Sequence, residues 1–155
     1  MKVADWAAEA GEALVVTLGL GSCVAIVIHD AESGTGGMAH VLLPSVTLAR
    51  DRSNPAKFPE TAVPLLVERL IALGAERDRL RARLVGGASM FANVASSNVA
   101  PMGERNVIAA RDACKRAHVP VIGEDTGSDY GRSVYLHLPA GRLEVRSVMH
   151  GSRQL

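Results

Sequence analysis

Two side chains in this sequence, Cys23 and His40, have the types and spacing to do chemistry together. Cys23 follows Gly19-Leu20-Gly21-Ser22, a glycine-rich turn leaving a strand. Small neighbours leave a sulfur within reach there. Backbone N–H groups in such a turn, around Gly21 and Ser22, can point at a developing oxyanion. The competing reading is an inert cysteine, since free cysteine is among the most buried residue types. His40 weighs against it. A hairpin centred between residues 31 and 32 sets His40 directly opposite Cys23, with Cβ atoms ~4.5–5.5 Å apart. Moving the turn by one residue shifts the partner by two positions and keeps the face. A thiol beside an imidazole can become a thiolate–imidazolium pair, which activates sulfur as a nucleophile. Thr17, at the end of the preceding strand, could hold the imidazole in one orientation, the part usually played by Asp or Asn. Threonine is also simply common in strands.

Other residues offer less. Cys114 sits among alanine and lysine in a helical stretch and reads as a packing residue. His29, His118, His137 and His150 show no metal-ligand spacing, and a zinc set of Cys23, His29 and His40 lacks a fourth ligand at a fixed offset. Gly86-Gly87 lacks the Lys-Ser/Thr of a phosphate loop. Gly19-Leu20-Gly21 lacks the third glycine and the helix of a dinucleotide site. No metal and no cofactor is implied.

These residues must be positioned by a framework whose elements can be read from patterning. Strands are expected at Glu12–Gly19, Val24–His29 and Met38–Leu43, the last two forming a hairpin across Asp30–Gly37. The polar stretch Ser45–Pro55 reads as an exposed loop. Val63, Leu66, Val67, Leu70, Ile71 and Leu73 follow the helical period and predict a helix over Pro59–Leu73, ended by Gly74. A strand at Arg81–Val85, a helix from Gly103 or Glu104 to Ala117, and strands at Val119–Gly123, Ser133–Leu138 and Leu143–Val148 complete the order. This is an α/β or α+β class: a mainly antiparallel, mixed sheet with two main helices packed against it.

Composition narrows the function. The 155 residues fit one domain, 48 % are apolar and 21 % charged, so a globular fold is expected. A formal charge of +1 argues against a broad nucleic-acid-binding surface. The run Arg77, Arg79, Arg81 and Arg83 reads as a solvated helix end and exit loop. No apolar run approaches the ~20 residues of a membrane span, and Met1–Gly11 has no export-length apolar stretch. Two cysteines are too few for a disulfide scaffold. The expectation is a cytoplasmic protein with reduced thiols.

At this point the motifs resemble a known family. Thr17-Leu18-Gly19-Leu20-Gly21-Ser22-Cys23-Val24-Ala25 is similar to the signature of the chemoreceptor glutamine deamidases, the CheD family. Gly36-Gly37-Met38-Ala39-His40-Val41-Leu42-Leu43-Pro44 resembles that family's histidine strand. Gly86-Gly87-Ala88-Ser89-Met90-Phe91, Met102-Gly103-Glu104-Arg105-Asn106, Gly123-Glu124-Asp125-Thr126-Gly127 and Gly131-Arg132-Ser133-Val134 follow in family order. The resemblance runs over roughly residues 11 to 149 and departs from the family pattern at Lys57-Phe58-Pro59-Glu60 and Thr126. It implies Cys23 as nucleophile, His40 as general acid and base, and Thr17 as the orienting residue. It also implies a layered α/β sandwich similar to the catalytic domain of deamidating bacterial toxins. The implied substrate is a glutamine side chain on the cytoplasmic helices of a methyl-accepting chemoreceptor, and the implied partner is a CheC-type phosphatase. A receptor glutamyl methyl-ester hydrolase and a CheC-binding regulatory module are the alternatives.

Overall fold

β3 (Val24–Asp30) is buried along its whole length, and the rest of the chain is layered on its two faces. The computed structural model describes residues 1–90 and 98–155; Phe91 therefore lies outside the described residues. β3 is the centre of a five-stranded sheet in the order β1 (Trp6–Ala10), β4 (Thr35–Val41), β3, β5 (Arg81–Gly86) and β6 (Val121–Thr126). All neighbours are antiparallel except β5 and β6, which are parallel and joined through α2 (Met102–Arg116), as a parallel pair requires a crossover. A second, four-stranded antiparallel sheet has the order β2 (Ala13–Leu20), β7 (Arg132–Leu138), β8 (Arg142–Ser147) and β9 (Gly151–Gln154).

Alternation along β3 explains the layering. Val24, Ile26 and Ile28 pack with Val63, Leu66, Val67 and Leu70 of α1 (Pro59–Ala72) and with Val107, Ala110 and Cys114 of α2. Cys23, Ala25 and Val27 share the opposite core with Val15, Leu20, Val134, Leu136, Leu143 and Val145 of the second sheet. Successive strand residues face opposite sides, so a strand buried on both faces reads as an unbroken apolar run. The result is three layers: helices, five-stranded sheet, four-stranded sheet.

The expected α+β class and both helices are present, with α1 ending at Ala72 and capped by Leu73. The single expected sheet is in fact two. β1 and β9 were not expected: β1 is only partly buried, and every residue of β9 is exposed, so neither carries an alternating apolar signal. Ile71, assigned to the helix's apolar face, is 41 % exposed. Arg83 is buried, not solvated; it donates to Leu155 O at 3.0 Å and lies 3.1 Å from His29 Nε2. Arg79 pairs with the buried carboxylate of Asp30. Among the described residues, no helix is long and apolar enough to cross a membrane.

Candidate active site

Thr17 and His40 meet between the two sheets, and Cys23 lies in the same inter-sheet core. Val15 and Thr17 point inward from β2. The pairing with β7 is then interrupted between Thr17 and Leu20, leaving Leu18 and Gly19 outside and returning Leu20 to the core. Irregularities of this kind re-aim side chains beside active sites. The chain turns through Gly21 and Ser22, and Cys23 enters β3 with its side chain on the second-sheet face.

The β3–β4 hairpin has Asp30 opposite Thr35, so Ala25, not Cys23, faces His40. The expected register is off by two residues because the turn is centred one residue later. Asp30 Oδ1 sets it, accepting from the backbone N–H of Glu32 at 3.0 Å and of Ser33 at 3.4 Å. The face is unchanged, and His40 remains a diagonal same-face neighbour of Cys23.

Thr17 Oγ1 lies 2.7 Å from His40 Nδ1, bridging the two sheets. Both residues are almost fully buried, Thr17 at 0 % and His40 at 1 % exposure. The Thr17 hydroxyl also reaches the Met1 carbonyl at 3.4 Å. One proton arrangement satisfies both contacts: His40 Nδ1–H donates to Thr17, and Thr17 donates to Met1. This leaves the Nε2 lone pair free, and Nε2 is buried with no hydrogen-bond partner among the described residues. An imidazole held by Nδ1 with Nε2 unengaged has the form of a general base.

The electrostatics alter one expectation. Cys23 keeps 9 % of its surface, and burial pushes its thiol above the ordinary range, partly offset by its own backbone N–H. Burial lowers His40, the N-terminal ammonium lowers it further, and Asp5 opposes in part. Both shifts favour neutral forms. These directions weigh toward a neutral thiol beside a neutral imidazole and against the ion pair anticipated from residue types.

Two motifs that carried only resemblance contact the cysteine turn. From the loop after β5, Ala88 N–H donates to Gly21 O and Gly87 N–H to Cys23 O, each at 2.8 Å. From α2, Asn106 Nδ2 donates to Ser22 O at 2.8 Å and to Leu42 O at 3.1 Å. This close approach needs glycine: a Cβ at Gly103 would collide with the carbonyl oxygens of Gly87 and Ala88. Among the described residues, the N–H groups of Gly21 and Ser22 meet no backbone acceptor in the turn, and that of Cys23 faces its own sulfur. Sequence reasoning missed Asn106, because a lone Asn in a helix produces no periodic or spacing signal.

The remaining candidates stay apart. Cys114 is fully buried in the helical layer, and burial pushes its thiol up to about 12. His29 is engaged with Arg83, and among the described residues no three His, Cys, Asp or Glu side chains gather as a metal site.

Comparison with known proteins bears on the whole chain. Residues 42–147 match the family model described as CheD chemotactic sensory transduction. A protein of Caldanaerobacter subterraneus subsp. tengcongensis named "Probable chemoreceptor glutamine deamidase CheD" is 37 % identical over 153 residues, covering 99 % of this chain and 94 % of its own. A Pyrococcus abyssi protein of the same name is 41 % identical over 96 % of this chain and 91 % of its own. A Geobacter metallireducens protein, named "Probable chemoreceptor glutamine deamidase CheD 2", is 45 % identical over 92 % and 88 %. The family-model match begins after His40, whereas the 153-residue alignment necessarily spans Thr17, Cys23 and His40.

Proposed function

The chain belongs to the CheD family, and from that premise we propose that it hydrolyses glutamine side chains of chemoreceptors to glutamate, releasing ammonia. The observation that carries the chemistry is the 2.7 Å Thr17–His40 contact, which leaves Nε2 unengaged on the face that also holds Cys23. Thr17, Cys23 and His40 act as one unit.

The reaction follows from these groups. His40 Nε2 takes the Cys23 thiol proton as sulfur attacks the carboxamide carbon. The Nδ1–H bond to Thr17 keeps the ring in the required tautomer and stabilises the imidazolium. N–H groups of the Gly21–Cys23 turn receive the oxyanion. The imidazolium then gives its Nε2 proton to the leaving amine, and ammonia departs from a thioester. His40 next deprotonates a water, which attacks the thioester carbon; sulfur leaves and recovers a proton from His40. Amides have poor leaving groups, so the positioned acid matters, and such catalysis contributes ~10²–10⁴-fold. No step requires a cofactor.

The three-layer arrangement supports a likeness to the catalytic domain of deamidating toxins, with residues 1–155 working as one catalytic domain. The substrate glutamine lies on the receptor's cytoplasmic helices, so the enzyme works in the cytoplasm beside the membrane, not in it. A CheC-type phosphatase is its regulatory partner.

Mass spectrometry of a receptor cytoplasmic fragment incubated with the protein tests this. A gain of ~1 Da per site, from replacement of NH₂ by OH, is expected with wild type and not with Cys23→Ala. Methanol release from a methylated receptor without ammonia release from an unmodified one would assign the ester hydrolase instead. A Cys23→Ala protein that still restored receptor signalling would favour the binding module.

A further inference from the structure

We infer that Asn106 is a positioning residue that aims the oxyanion-binding N–H of Cys23. This rests on the reading of Cys23 as nucleophile given above. A peptide unit is planar and trans, so its C=O and N–H point in opposite directions. Whatever holds the Ser22 carbonyl therefore sets the direction of the Cys23 N–H. Asn106 Nδ2 holds that carbonyl at 2.8 Å.

The same device acts on both neighbouring peptide units. Ala88 N–H holds the Gly21 carbonyl, and Gly87 N–H holds the Cys23 carbonyl. Three consecutive peptide planes through the nucleophile are thus fixed from behind by donors to their carbonyls. In consequence, the N–H groups of Ser22 and Cys23 turn away from α2 and the β5 loop. Two of the three locks are backbone, and Asn106 supplies the third from a side chain.

Two further observations single out this side chain. Asn106 is 0 % exposed yet lies inside α2, where asparagine is a poor helix former. Its second amide hydrogen goes to Leu42 O at 3.1 Å, one residue beyond β4, so one group ties the cysteine turn to the histidine strand. With both acceptors being carbonyls, the amide cannot be reversed without facing oxygen to oxygen.

The discriminating experiment uses two reactions of one sulfur. Alkylation by iodoacetamide displaces iodide and forms no oxyanion, whereas deamidation forms one. Asn106→Ala is expected to lower kcat for a receptor cytoplasmic fragment by about 10- to 100-fold, below the ~10²–10³ for deleting an oxyanion donor outright. KM and the Cys23 alkylation rate should stay within about threefold. Unchanged kcat, or an alkylation rate that falls as far as kcat, would overturn the inference. Should Asn106→Ala fail to fold, Asn106→Asp preserves the volume. Its carboxyl can donate to one carbonyl only when protonated, so its kcat relative to wild type should rise as pH falls, and a flat ratio refutes the inference. Ammonia release by Cys23→Ala would instead show that the nucleophile itself is misassigned.

Discussion

Replacing Thr17 by valine removes one hydroxyl and little else, and it tests the bridge between the sheets. Val is close to Thr in volume, and Thr17 is wholly buried, so the core stays filled. His40 Nδ1 then loses its 2.7 Å partner in a site where His40 itself is 1 % exposed. Leaving a buried polar group unpaired costs about 1–3 kcal/mol of stability. The kinetic effect arises when the ring becomes cationic in the transition state. A hydrogen bond to a charged group contributes about 1.5–3 kcal/mol. At ~1.4 kcal/mol per factor of ten, kcat should fall about 10- to 150-fold. That is well short of the ~10⁴ seen when a triad carboxylate is neutralised, because threonine brings no charge. Ammonia release at saturating receptor fragment, with urea unfolding in parallel, measures both effects. Thr17→Ser restores the hydroxyl and should recover most of the rate. A folded Thr17→Val within about twofold of wild type, or a Thr17→Ser as impaired as Thr17→Val, would refute the role of this bond.

Iodoacetamide at pH 8 should label Cys23 in the folded protein and spare Cys114, whose thiol is pushed up to about 12 inside the helical layer; peptide mapping showing the reverse pattern would contradict the assignment. Because burial raises the Cys23 thiol and lowers His40, the mechanism's neutral–neutral form persists from below the ordinary histidine value of ~6.5 to above the ordinary thiol value of ~8.5. The pH profile of kcat/KM should therefore be flat between those limits, and Cys23 alkylation should rise steeply above pH 8; comparable alkylation at pH 6 and pH 8 would reveal a preformed ion pair instead. Asp125→Ala should cost about 3–5 kcal/mol in denaturant unfolding, since it strands Arg132, which is 2 % exposed and donates Nε to Asp125 at 2.8 Å; a loss under ~1 kcal/mol would show that the pair contributes little.

The elements that position Cys23 and His40 were legible because β3 and β4 are bounded by unmistakable turn chemistry. Face parity survived the two-residue register error, since a hairpin that slides by one turn position keeps alternate residues on the same side. The Thr17 contact could only be guessed, because it depends on how a second sheet packs, and no local pattern distinguishes one sheet from two. β9 could not be found at all: Gly151, Ser152, Arg153 and Gln154 are exposed, and their pairing with β8 is a backbone ladder with one exposed side-chain bond, from Ser152 Oγ to Glu144 Oε1. Asn106 illustrates a different limit. Its two partners, Ser22 and Leu42, lie far from it in sequence, so its role exists only once α2 has docked. The motifs around Gly86 and Met102 were visible as text, but their work is to brace a turn elsewhere in the chain.

The bond between Thr17 and His40 joins a strand whose hydrogen-bonding neighbour is near the other end of the chain: Thr17 pairs with Val134 and Ala13 with Leu138. On the ribosome, β3 and β4 can pair as soon as they emerge, and Cys23 and His40 come together early. Thr17 cannot take its place until β7 has been synthesised. The nascent chain thus carries its sulfur and imidazole through most of translation without the hydroxyl that fixes the ring. In that order, the hydroxyl that fixes the ring is the last of the three groups to take its place.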